Sequence, residues 1–172
     1  MAKIRIPVVL AAVVAALLTA PVAHAETPPG PARQVPCPVP TDDPARYVGA
    51  SAAFRCRIAV TDPDGLVVIL REGRPASAGP GPFGVAHAAA DRGVGEDLIA
   101  RAVSSVRPVP GEQRRLHYIA DLGEVAVWVV VDRGPSRQAP DTRPFGVITA
   151  FCRSAPDAEP QRCPEPVSVS RP

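Results

Sequence analysis

The sequence predicts an α+β domain: two short helices packed on one face of a mostly antiparallel sheet of about five strands, with proline-rich irregular ends and two disulfides. Three observations carry this. Short alternating or continuous apolar runs, separated by turn residues, occupy residues 54–70 and 115–152, as hairpin strands do. Between them, residues 83–106 carry helical periodicity interrupted by Gly93-Val94-Gly95. Four cysteines, Cys37, Cys56, Cys152 and Cys163, sit outside or at the edge of these runs.

Residues 1–25 have the parts of an export signal: basic Lys3 and Arg5, an apolar run over 6–18, and the small-x-small sequence Ala23-His24-Ala25. The run is shorter than the roughly 20 residues a bilayer needs, so cleavage before Glu26 is expected. The mature chain is then secreted and holds no membrane segment, because its longest apolar run, 125–131, is strand-sized. Proline-rich segments at 26–46 and 154–172 flank a single domain at 47–153; they lack apolar residues to offset the entropy of ordering.

Within the domain, residues 54–60 and 66–70 read as a hairpin around the turn Asp62-Pro63-Asp64-Gly65. A helix follows at 83–91, then a second at 96–106, with Glu96 and Asp97 at its positive N-terminal end. Leu98, Ile99, Ala102, Val103 and Val106 fall on one face of that helix, which belongs against a sheet. Residues 115–120 and 125–132 form a second hairpin, whose uninterrupted apolar strand reads as central and buried on both faces. Residues 145–152 supply the last strand.

The 19 basic residues include Lys3 and Arg5; without them 17 remain against 17 acidic ones. The mature chain is therefore near neutral and contains no lysine, a composition that fits GC-rich coding and gives no general pull toward nucleic acid or membrane. An even cysteine count in an exported chain reads as two disulfides. The spacing allows two local loops, Cys37 with Cys56 and Cys152 with Cys163, or ties from each tail to the central strands, and the local pairing is preferred. With no Cys-x-x-Cys and no histidine at ligand spacing, neither a zinc site nor any other metal or cofactor is expected. Nucleophile-elbow, phosphate-loop and zinc-helix signatures are absent. Few aromatics argue against base stacking. A monomer is the default expectation.

Chemistry concentrates at His87. On the first helix Asp91 stands at i+4, on the same face, and Arg92 one position round. A carboxylate-held imidazole acts as general acid or base near neutral pH, and a guanidinium stabilises charge on a phosphate. His117 alternates with Leu116, Tyr118 and Ala120, which take the core side, leaving it beside Arg115 and Ile119. Thr149 alternates with Phe145, Val147 and Phe151, as a core threonine or the floor of a cleft. Arg71 and Arg74 read as surface charges near the His87 loop.

Leu70-Arg71-Glu72-Gly73, Phe83-Gly84-Val85-Ala86-His87, Asp91-Arg92-Gly93 and Val147-Ile148-Thr149-Ala150-Phe151, in this order around a helix and two strands, resemble the toxin domains of the barnase, EndoU, colicin and RelE-like ribonuclease superfamily over about residues 67–151. The resemblance implies a general acid or base at His87, a phosphate-stabilising cation at Arg92 and a polar group near the scissile phosphate at Thr149; His117 is added on its strand position. It implies RNA as substrate and a cognate inhibitor as partner. Many relatives carry a second histidine where Asp91 or Arg92 stands, and several use lysine. The alternative expectation is a non-catalytic secreted module that binds or inhibits a protein target.

Overall fold

The computed structural model describes residues 32–37 and 44–164; the export signal read at 1–25 and the tail from 165 onward lie outside the described residues. In chain order the elements are β1 (Gln34–Val35), β2 (Cys56–Thr61), β3 (Val67–Arg71), α1 (Gly84–Arg92), α2 (Glu96–Ser105), β4 (Val109–Pro110), β5 (Arg115–Asp121), β6 (Ala126–Pro135) and β7 (Pro144–Arg153). Short 3-10 turns cover Pro44–Arg46, Gly49–Phe54 and Ala76–Ala78. The class is α+β, but the single sheet of about five strands is replaced by two antiparallel sheets, β1-β2-β3 and β4-β5-β6-β7.

Two causes account for the difference. β1 and β4 are two residues long and lie among prolines, so no alternation betrays them; Gln34 pairs with Val60 and Val109 with His117. In addition β3 meets β7 without joining its ladder. A Cβ on Gly146 would lie 2.1 Å from the Ile69 carbonyl oxygen, and Gly146 has φ 84°. The two backbones touch there through a contact that only glycine permits.

The first hairpin turns where expected. One carboxylate oxygen of Asp62 accepts hydrogen bonds from the backbone N–H groups of Asp64 and Leu66 at 2.9 and 2.8 Å, an aspartate turn that holds the chain reversal. The other oxygen accepts from the Tyr118 hydroxyl at 2.9 Å, tying the hairpin to the second sheet. Burial and this carboxylate push the Tyr118 hydroxyl above its ordinary pKa.

Strand register sorts the four-stranded sheet into two faces, because directly paired residues share a face. Tyr118, Val129 and Ala150 form one row, and Ala120, Val127 and Cys152 another. These join Val60, Val68 and Leu70 from the hairpin, Val85 and Ala88 from α1, and Leu98, Ile99, Ala102 and Val103 from α2 in the main core. The reverse face carries His117, Val130 and Thr149 in one row and Ile119, Trp128 and Phe151 in the next. β6 is therefore central but fully covered on one face only, since Trp128 stays half-buried on the other.

Both tails are partly built into the fold. β1 adds an edge strand next to the Cys37–Cys56 disulfide, and Gln161 bridges Cys152 beside the Cys152–Cys163 disulfide. The preferred local pairing is the one observed. Closing the Cys152–Cys163 loop, 11 residues apart, removes chain entropy from the unfolded state worth about 3 kcal/mol. Replacing both cysteines with serine is expected to lower the unfolding free energy by about that amount, read by urea denaturation of the two oxidised proteins; an unchanged midpoint would assign the pinning to the backbone bridge alone.

Arg71 corrects the surface-charge reading, for it is fully buried. Its guanidinium makes a bidentate pair with Asp141 at 2.9 and 3.0 Å. It also donates to the carbonyls of Phe145 and Pro144 at 3.0 Å and to that of Phe54. All five N–H groups are thus used. Tyr47 adds a hydroxyl to Asp141 at 3.2 Å. Burial alone would raise the Asp141 pKa; the bonds from Arg71, the Arg143 N–H and Tyr47 outweigh it and hold the carboxyl below its usual range. The proline-rich loop between β6 and β7 is fastened to β3 through this pair.

Candidate active site

The start of α1 is fixed by close backbone contact. A Cβ on Gly73 would lie 2.0 Å from the Phe83 carbonyl oxygen, and one on Gly84 would lie 2.7 Å from the Gly73 Cα. The two glycines of the segments ending in Gly73 and beginning at Phe83 are thus required by each other. Phe83, just ahead of the helix, packs between Phe54 and Phe145 with ring centroids 4.8 Å from each. At the other end Gly93, in the left-handed region at φ 69°, turns the chain out of the helix.

On this anchored helix His87 is buried, with 7% of its surface exposed. Its Nδ1 lies 2.6 Å from Asp91 Oδ2. The same oxygen accepts the Ala76 N–H at 2.8 Å, so the 3-10 turn Ala76–Ala78 holds the acid from outside the helix. The Ala76 hydrogen bond first, and the His87 bond next, keep the Asp91 carboxyl below its ordinary pKa. An ionised carboxylate only accepts, so the proton of a neutral His87 ring sits on Nδ1. Nε2 then carries the free lone pair, which is the arrangement of a base.

Thr149 keeps the face of Phe151 that its alternation gave it, but parts from Val147. Val130 pairs with Thr149 but Val131 pairs with Val147, leaving Ile148 as an extra residue in a β-bulge. Val147 therefore faces the core, and Thr149 faces the reverse side with Val130. Its Oγ1 is buried and makes no hydrogen bond. His117 stands in the same row, two strands away, or about 10 Å. Burial lowers the His117 pKa, and the Arg115 and Arg153 charges lower it further.

The structure thus joins His87 to Asp91, and His117 to Thr149 through Val130. No hydrogen bond or ring contact among the described residues links the first pair to the second. Arg92 stands about 140° round the helix from His87. Its carbonyl accepts the Cys163 N–H at 2.9 Å, while Arg162 donates to Ala90 at 2.8 Å, so the end of α1 is capped by the C-terminal segment. The Arg92 Nε is buried without a partner.

The backbone anchor at Ala76 was not anticipated from the sequence, and nothing local announces it, since it depends on a turn 15 residues away. Among the described residues no group of three His, Cys, Asp or Glu side chains could hold a metal ion. Comparison with known proteins finds no counterpart: no family model matches the chain, no curated protein matches it, and no solved structure matches it. The two disulfides are compatible with an extracellular protein.

Proposed function

We propose that the protein is a secreted, disulfide-stabilised domain that cleaves RNA without a metal, as a toxin or effector. The observation that carries this reading is the His87–Asp91 pair, a nearly buried imidazole whose tautomer is set by a carboxylate fixed from a separate turn. Nε2 takes the proton of a 2′-hydroxyl as its oxygen attacks phosphorus, and Asp91 balances the charge that forms on the ring. The proton then passes to the departing 5′-oxygen. Thr149, whose Oγ1 is buried without a partner, is kept as the polar group of this reading although it shares no contact with the His87 pair.

Expression of residues 26–172 in a bacterial cytoplasm made permissive for disulfide formation is expected to arrest growth and fragment RNA; normal growth and an intact RNA pool, with the oxidised protein present, contradict the reading. Thr149→Val tests the hydroxyl separately. With no hydrogen bond to lose, this change is expected to leave stability unchanged or raise it by about 1 kcal/mol, while cleavage falls. Equal losses of stability and cleavage would make Thr149 a structural residue.

A second reading, a non-catalytic binding or inhibitory module, is favoured by one observation: the His87 pair and the His117–Thr149 row share no contact. It predicts that His87→Ala leaves recognition of a protein target intact.

A further inference from the structure

The face of the four-stranded sheet turned away from the core has a composition unlike a solvated surface. Trp128, the only tryptophan of the chain, lies beside Phe151 with ring centroids 6.3 Å apart and planes within 13°. Neighbouring strands thus hold the two rings nearly parallel, with Phe151 buried and Trp128 half-buried. Arg153 covers both, its guanidinium carbon 4.5 Å from the Trp128 centroid and 5.3 Å from that of Phe151. The Arg153 Nε is buried and makes no hydrogen bond, while its Nη1 donates to the Pro156 carbonyl at 2.6 Å and holds the guanidinium over the rings. His117 lies alongside, with its ring 5.7 Å from Trp128.

Charge adds a second observation. Arg115 lies in the row next to His117, and both Arg115 and Arg153 act on the His117 ring electrostatically. Among the described residues neither arginine forms an ion pair with an acid, whereas Asp132, which opposes Arg115, has Arg114 3.9 Å away. The patch therefore combines a half-buried indole covered by a guanidinium with one exposed cation, Arg115.

Taking the ligand class from the ribonuclease reading, we propose that this face binds single-stranded RNA, an unstacked base lying on Trp128 and the Arg153 guanidinium above it while Arg115 meets a backbone phosphate. Bases stack on aromatic rings and on guanidinium planes when they are free of a helix. A double helix keeps its base faces to itself and cannot use this site. The low aromatic content of the chain gives no sign of such a platform, because it is made by three residues on two strands that only the register brings together.

Trp128 is itself the reporter. Titrating disulfide-bonded His87→Ala protein, which spares the RNA, with a short single-stranded oligoribonucleotide is expected to change Trp128 fluorescence saturably. Arg153→Ala in that background is expected to weaken binding about tenfold. Arg115→Ala, at an exposed position, is expected to reduce the salt dependence by about one phosphate contact. A flat titration, equal affinity for double-stranded RNA or heparin, or undiminished affinity in both arginine variants would overturn the proposal. Cleavage by the unmutated protein, measured in parallel, separates the two claims. Cleavage without a Trp128 response removes the binding face and leaves the ribonuclease reading, whereas a Trp128 response without cleavage does the reverse.

Discussion

Replacing His87 with alanine is expected to lower RNA cleavage by a factor of about 10²–10⁴, the contribution typical of a positioned acid–base group. The fold should survive. Asp91 is a quarter exposed and keeps its Ala76 hydrogen bond, so the substitution leaves no carboxylate stranded in the core. Asp91→Asn gives a sharper result. The carboxylate enforces Nδ1–H on the ring, whereas an amide can present either an oxygen or an N–H to Nδ1 and so admits the opposite tautomer. The turnover rate should therefore fall more than the apparent affinity. A variant that retained full turnover would remove the tautomer argument while leaving the histidine in place.

Loss of Arg71 is expected to be the most damaging single change to stability, by about 3–5 kcal/mol. It leaves the Asp141 carboxylate buried with only Tyr47 and the Arg143 N–H, and deprives the carbonyls of Phe54, Pro144 and Phe145 of their donor. Lysine is no remedy, since one ammonium cannot span five acceptor positions in a plane. Arg71→Met combined with Asp141→Leu should be more stable than Arg71→Met alone, because the uncompensated charge is gone. The pH dependence follows from the depressed Asp141 pKa. Its contribution is full above the ordinary unfolded carboxylate value of about 4 and is lost as pH falls through the lower folded value. Hence the gap between wild type and Asp141→Asn should narrow on acidification. Urea midpoints measured across that range decide it, and a gap that widens in acid would contradict the assignment.

The parts legible in the sequence are those set by near neighbours. Asp62-Pro63-Asp64-Gly65 makes its turn from its own side chain, Gly93 ends α1 through its own left-handed conformation, and His87 meets Asp91 because four helical residues bring them together. Distant partners leave no local trace. Arg71 looks like a charge closing a strand, yet it is buried against an acid 70 positions away. Thr149 shares its face with Phe151 but not with Val147, because one bulged residue, Ile148, shifts the two-residue period between them. Likewise the division into two sheets turns on Gly146 meeting Ile69, a contact between strands far apart in the chain. His87 and His117 were each legible as candidates, but their relation depends on how α1 packs along β7.

The central claim, that the His87–Asp91 pair performs acid–base cleavage of RNA, is tested most directly by incubating purified, disulfide-bonded protein and its His87→Ala variant with a defined single-stranded RNA in the presence of a chelator. The predicted result is cleavage by the wild type alone, leaving 2′,3′-cyclic phosphate ends as attack by the 2′-hydroxyl requires. Intact RNA with both proteins, or equal cleavage by both, would contradict it.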